Sequence, residues 1–171
     1  MKKILVLALV AVFAVTGLFA SFTDDYSGTM DEGSFALGVN LGTNTGVAVR
    51  YGYGRFDIFG DLGVDFITLG REGEFAIGAD VGASWEVYDF DFGNGHHMPL
   101  TVGLMVPLGF GFGDDFIFNL SVLAQVGVQY KLPKYPWSFY ARLGLGLGLD
   151  IAPDFDLFFS GAGSIGALYH F

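Results

Sequence analysis

The sequence predicts an all-β protein: an eight-stranded antiparallel, up-and-down transmembrane β-barrel preceded by a helical signal peptide. Three observations predict it. Hydrophobic residues make up 52% of the chain and charged residues only 15%, where a soluble domain carries about 25% charged residues. Beyond residue 20 this hydrophobicity is never gathered into the roughly 20-residue apolar run that a spanning helix needs. From Ser34 to Phe171 it alternates instead with period two, in eight segments separated by turn residues.

The N-terminus is taken first. Met1-Lys2-Lys3 is a positive n-region, Ile4 to Val15 an apolar h-region, and Thr16, Gly17 and Ala20 are the small residues that follow. Together these read as a secretory signal peptide. Cleavage is expected after Ala20, with Gly17 as the alternative because Leu18 is large for its position. The chain therefore divides into a signal peptide (1–20), an acidic, irregular leader (21–33) and the barrel (34–171). Loss of Lys2 and Lys3 leaves six basic against eighteen acidic residues, a charge near −12. Such a charge repels nucleic acid and provides no basic patch for anionic lipid. Cysteine is absent, which excludes disulfides, thiolate metal sites and a lipid-modified N-terminal cysteine.

Eight strands follow. The first (34–42) sets Phe35, Leu37, Val39 and Leu41 against Ser34, Ala36, Gly38, Asn40 and Gly42; the second (45–53) sets Val47, Val49, Tyr51 and Tyr53 against Gly46, Ala48, Arg50 and Gly52. The third (55–69) sets Phe56, Ile58, Leu62, Val64 and Phe66 against Asp57, Asp61, Gly63 and Asp65. The fourth (74–88) sets Phe75, Ile77, Val81, Trp85 and Val87 against Gly78, Asp80, Gly82, Ser84 and Glu86. The fifth (98–112), sixth (116–130), seventh (137–151) and eighth (155–171) continue in this way, with Leu104, Val126, Leu145 and Ile165 typical of the apolar face and Gly103, Gln125, Gly146 and Ser164 of the other. Turn chemistry falls between them at 42–46, 70–73, 93–95, 113–115, 133–136 and 152–154. No helix is expected after the signal peptide.

The apolar face has to point outward. Eight strands close without a free edge, but such an interior holds only about a dozen packed side chains. Several bulky residues per strand exceed that capacity, whereas the glycine, alanine and serine of the opposite face fit it. A bilayer is the solvent that an outward apolar face requires, and a closed barrel pairs every backbone group within it. Tyr51, Tyr53, Trp85, Phe110, Phe112, Tyr130, Trp137 and Tyr169 lie near strand ends, where interfacial girdles belong.

The last eight residues, Ser164-Ile165-Gly166-Ala167-Leu168-Tyr169-His170-Phe171, follow the pattern polar-x-Gly-x-x-aromatic-x-aromatic ending on the final residue. This resembles the β-signal of outer-membrane proteins. Over 34–171 the chain is similar in architecture to the small bacterial outer-membrane barrels of the OmpA, OmpX and OmpW type. The resemblance implies a bacterial outer-membrane location after export, outer-membrane lipid as surroundings, a monomeric barrel with both ends periplasmic, and an assembly signal at Gly166, Tyr169 and Phe171 read by the barrel-assembly machinery. It also makes the connections at 42–46, 69–74, 112–115 and 151–155 the outer ones. All are short, which disfavours an adhesin. The connection from Asp89 to His97 is the longest and would be periplasmic.

Candidate sites lie mostly on the inward face. Arg50 and Arg142 stand among Asp57, Asp61, Asp65, Asp80 and Glu86, with Asp150 beyond them. Buried charges need partners, so a charge-paired lumen plug is expected, Arg50 and Arg142 drawing on Asp61, Asp65 and Asp80; an ion path is the alternative. Pro99 and Pro107 cannot donate to a strand ladder and mark a possible lateral gap. His96 and His97, near Asp89 and Asp91, are of metal-ligating type but sit in a glycine-rich turn; no metal or cofactor is expected. No nucleophile paired with a base is evident, although Ser160 and Ser164 share a face with His170. The function expected is a non-catalytic outer-membrane barrel, structural or handling small solutes. The alternatives are a transporter of small hydrophobic molecules through a lateral opening and a lipid-modifying enzyme.

Overall fold

A computed structural model describes residues 33–70 and 75–171. The signal peptide and nearly all of the leader lie outside the described residues. Eight antiparallel strands run in chain order and close into a barrel: β1 (Ser34–Gly42), β2 (Asn44–Tyr53), β3 (Phe56–Asp65), β4 (Phe75–Asp91), β5 (His97–Phe112), β6 (Ile117–Lys131), β7 (Trp137–Ala152) and β8 (Asp156–His170). Closure is made by β8 on β1, from Ala36↔His170 to Gly42↔Ser164.

The register fixes the shape of the barrel. From Asn40, a path across successive pairs runs through Gly46, Gly63, Gly78, Gly109, Asn119 and Asp150 and reaches β8 at Asp156. Asn40 itself pairs with Gly166. The stagger around the barrel is therefore ten residues (166 against 156). With strands ~4.8 Å apart and ~3.4 Å per residue, this tilts them about 40° from the barrel axis. The 9-residue β1 then rises about 23 Å, and the 17-residue β4 about 44 Å.

Residue distribution is inverted relative to a water-soluble barrel. Leu143, Leu145 and Phe159 are 66%, 63% and 73% exposed on the outer wall, whereas Asp57 and Glu86 are fully buried. Outward apolar side chains occur on every strand, while asparagine, aspartate, glutamine, serine and arginine face the lumen. Alternation set this arrangement, because successive residues of a strand face opposite sides.

Two elements depart from the simple alternation. The third strand was expected to run to Leu69, but pairing ends at Asp65 and a single helical turn, α1 (Phe66–Leu69), follows. Its cause is local. The Asp65 carboxylate accepts the N–H groups of Ile67 (2.9 Å) and Thr68 (3.1 Å), an N-cap that competes with the ladder. The fourth strand runs three residues further than expected, to Asp91, because a β-bulge between Glu86 and Tyr88 resets its parity. Tyr88 and Phe90, not Val87, consequently lie on the outer wall. The connection expected to span Asp89 to His97 contracts to the Phe92–His96 turn, with Gly93, Asn94 and Gly95 all at positive φ.

Inward glycines make room for the lumen's side chains. A Cβ on Gly82 would meet the Phe59 ring and, at 2.6 Å, the carbonyl oxygen of Leu104, whereas a Cβ on Gly60 meets nothing nearer than Val49 Cγ2 at 3.4 Å. Gly82→Ala is expected to destabilise the barrel by about 1–3 kcal/mol through overpacking and Gly60→Ala to leave it nearly unchanged, both read from urea unfolding in detergent micelles. Equal effects would show that Phe59 does not occupy the lumen as described.

Candidate functional site: the lumen

The middle of the lumen holds two ion pairs and an apolar layer. Arg50 on β2 pairs with Asp57 on β3, both buried, and Ser84 Oγ donates to the same carboxylate. Arg142 Nη1 on β7 lies 3.6 Å from Asp61 Oδ2. The Arg142 guanidinium lies over Phe59 (3.9 Å) and Tyr140 (4.1 Å), an arrangement that holds a cation by the rings' quadrupoles. Tyr140 donates to Asn40 Oδ1 (2.8 Å), and Asn40 Nδ2 to the backbone oxygen of Asn44 (2.6 Å). Phe59, Met105 and Leu123, backed by Ala162, pack into one layer; Ala36, Ala48, Tyr140 and Leu168 form another.

This differs from the pairing expected for Arg50, whose partner is Asp57 and not Asp61, Asp65 or Asp80. Arg50 stands opposite Phe59, so Asp57 and Asp61 are both its diagonal neighbours on β3. Arg142, crossing from β7, occupies Asp61. Each acid thus takes one guanidinium, and the two cations avoid sharing a partner. Asp80 lies in register opposite Asp61 and makes no ion pair with a described residue. Asp65 is withdrawn from the network by its role as the α1 cap, where Thr68 Oγ1 donates to it (2.5 Å) and Asn119 Nδ2 donates to Thr68 (2.9 Å). Glu86 is wholly buried just before the bulge, and Asp150 is buried toward the end of β7. The plug is therefore as much aromatic and aliphatic as ionic. Phe59, Met105, Leu123 and Leu168 went unnoticed in the sequence, though each is a bulky residue on the parity of the small and polar ones.

The end bearing α1 is roofed by the Asp65–Thr68–Asn119 cluster, and a cavity of about 30 Å³ lies beneath it. A larger cleft, about 600 Å³, opens at the same end between the β5–β6 and β7–β8 turns, lined by Asp114, Asp115, Asp150, Asp154 and Asp156.

At the opposite end, Ser138 Oγ and His170 Nε2 are 2.7 Å apart, and Gln129 Nε2 donates to the same hydroxyl (3.0 Å). This serine–histidine pair was not foreseen. It joins β7 to β8, whereas Ser160 accepts from Ser121 (2.8 Å) instead of approaching His170. Ser138 is fully buried, so its hydroxyl has no space for a substrate carbonyl and serves as a polar clasp between strands. His96 Nδ1 lies 2.5 Å from the Tyr130 hydroxyl and His97 Nδ1 2.5 Å from Asp89 Oδ2. Among the described residues no three His, Asp or Glu side chains are arranged to hold a metal ion.

The hydrogen bond to Asp89, with Asp89, Asp91 and Glu86 as nearby negative charges, raises the pKa of His97 above its ordinary value. The folded form therefore favours imidazolium. Its contribution is present below the ordinary histidine range and fades as pH rises through the raised value. In NMR titration His97 is expected to titrate above the ordinary histidine range, and Asp89→Asn to bring it back. A His97 pKa unmoved by that substitution would exclude the pairing.

The wall is nearly continuous. On β5, pairing with β6 runs from Leu100↔Val128 to Met105↔Leu123 and resumes in the same register at Leu108↔Leu120, leaving Val106 and Pro107 unpaired on that side. Pro99 sits opposite Asp89 on β4, outside the β6 ladder. The C-terminal residues close the seam. The Tyr140 ring covers Gly166, where a Cβ would strike it. Tyr169 packs edge-on against Trp137 (5.4 Å) and Phe171 (5.2 Å), and Phe171 donates its N–H to the Phe35 oxygen (3.0 Å).

These features define a closed eight-stranded up-and-down barrel with an apolar exterior and a filled polar lumen. No protein family, curated protein or solved structure matches the chain.

Proposed function

We propose that this chain is a bacterial outer-membrane β-barrel of the OmpA, OmpX and OmpW type, exported by its signal peptide, with a structural or small-solute-handling role and no catalysis. The observation that carries the reading is the apolar side chains on the outer wall of every strand of a closed barrel. Water does not favour such a wall; hydrocarbon does, and the rise of about 23–26 Å of the three shortest strands is close to the roughly 25 Å apolar band of outer-membrane barrels. The Phe59–Met105–Leu123 layer and the Arg142 stack support a closed lumen. In planar bilayers the wild-type protein is expected to give no steady conductance. A persistent large conductance would overturn the closed-lumen reading.

Assembly by the barrel-assembly machinery through Gly166, Tyr169 and Phe171 belongs to the same proposal. Deleting Phe171 removes the contacts to Phe35 and Tyr169 and is expected to lower the yield of heat-modifiable, folded barrel in the outer membrane. Undiminished yield would make the C-terminal pattern incidental.

The unpaired Val106–Pro107 step favours one second reading, lateral passage of a small hydrophobic molecule. The adjoining cavity, about 30 Å³, is far below the roughly 300–1,000 Å³ of ligand pockets, so that reading requires β5 and β6 to part. A disulfide between cysteines at Leu104 and Ala124, paired on the outward face beside the gap, would abolish such transport and leave the lumen layer intact.

A further inference from the structure

The small cavity beneath α1 has the composition of an ion site. Its polar wall comes from Asn44, Asp65, Asp80, Asn119, Ser121 and Ser160, and its volume of about 30 Å³ admits about two water-sized occupants. Asp80 is 6% exposed. The arginines nearest to it are paired elsewhere, Arg50 with Asp57 and Arg142 with Asp61, so its carboxylate has no ion pair of its own and feels Arg142 only at a distance. Independently, Asn44 is 4% exposed and its side-chain amide sits against Asp80, its oxygen left without a hydrogen-bond donor. A buried amide oxygen left unsatisfied beside a buried carboxylate with no ion pair is costly on both counts, and one cation would relieve both.

We propose that this cavity binds a single hard monovalent cation of sodium's class, held by the Asp80 carboxylate and the Asn44 amide oxygen, with the Ser160 hydroxyl and a water completing its shell. One uncommitted carboxylate among neutral oxygens suits a single positive charge. A calcium site would gather several carboxylates around 6–8 oxygens, and no such group exists among the described residues. The aspartate-lined cleft at the same end of the barrel raises the local cation concentration near the roof.

The test uses the folded wild-type barrel in detergent micelles at pH 8, with sodium chloride exchanged for N-methylglucamine chloride at constant ionic strength. Thermal unfolding is expected to rise by about 3–6 °C for each tenfold increase in sodium beyond saturation. Asp80→Asn, which keeps shape and removes the charge, is expected to fold and lose the response; Asn44→Ala shifts it to higher sodium. Crystals grown with thallium(I) are expected to show an anomalous peak between Asp80 and Asn44. A sodium-insensitive wild type, an unchanged response in Asp80→Asn, or a cavity holding water alone would each overturn the site. None of these outcomes touches the outer-membrane reading, which concerns the opposite face of the wall.

Discussion

Arg50→Ala is expected to destabilise the folded barrel by about 3–5 kcal/mol, because it strands the fully buried Asp57 without its countercharge. Asp57→Ala leaves Arg50 in the same position and is expected to cost a similar amount. The double variant removes both charges and is expected to cost less than the sum, giving a coupling of at least ~1 kcal/mol by urea unfolding in micelles. The cycle of Arg50→Ala with Asp61→Ala is expected to show weaker coupling, since Asp61 is engaged by Arg142. A stronger coupling to Asp61 than to Asp57 would reverse the pairing described for the lumen.

The second large effect concerns the two faces of one strand. Val126 lies on the outer wall of β6 and Gln125, its neighbour, in the lumen. Val126→Arg near mid-bilayer is expected to cost about 2–4 kcal/mol, with substitutions nearer the strand ends costing less. At Gln125 the sign is expected to differ. Neither its amide oxygen nor its nitrogen has a hydrogen-bond partner, so Gln125→Leu removes an unsatisfied buried amide and is expected to be neutral or stabilising by about 1 kcal/mol. Equal penalties at both positions would place the alternation on the wrong faces.

Much of this architecture is legible in the alternation. The repeat of small or polar against apolar residues places every strand within a few residues of its observed bounds and assigns Arg50, Asp57, Asp61, Asp80 and Arg142 to one compartment. What alternation does not carry is where it is interrupted. Asp65 reads as one more inward acid, and only its reach to the amides of Ile67 and Thr68 turns the chain into α1. The bulge at Glu86 is silent in the sequence because Val87 and Tyr88 are both plausible outward residues. Partner choice inside the lumen is equally silent: Asp57 and Asp61 stand in equivalent diagonal positions to Arg50, and the choice is made by Arg142, reaching across the lumen from β7. The Ser138–His170 clasp required the β7–β8 register, which a single strand's pattern does not contain. The ion site rests on an amide oxygen left without a donor, a property of packing and not of residue type.

The central claim is that the apolar outer wall faces lipid while the lumen is shut. The chain has no cysteine, so single cysteines placed along β7 from Trp137 to Ala152 each report one position. Spin labels at these sites in reconstituted bilayers, read for collisions with oxygen against a water-soluble nickel chelate, give the most direct measurement. Phe139, Leu143, Leu145 and Leu147 are expected to show high oxygen and low nickel accessibility, greatest near the middle of the strand, and the lumen-facing Tyr140 low accessibility to both. Nickel accessibility at the odd positions, or a label at Tyr140 open to the chelate, would contradict the account.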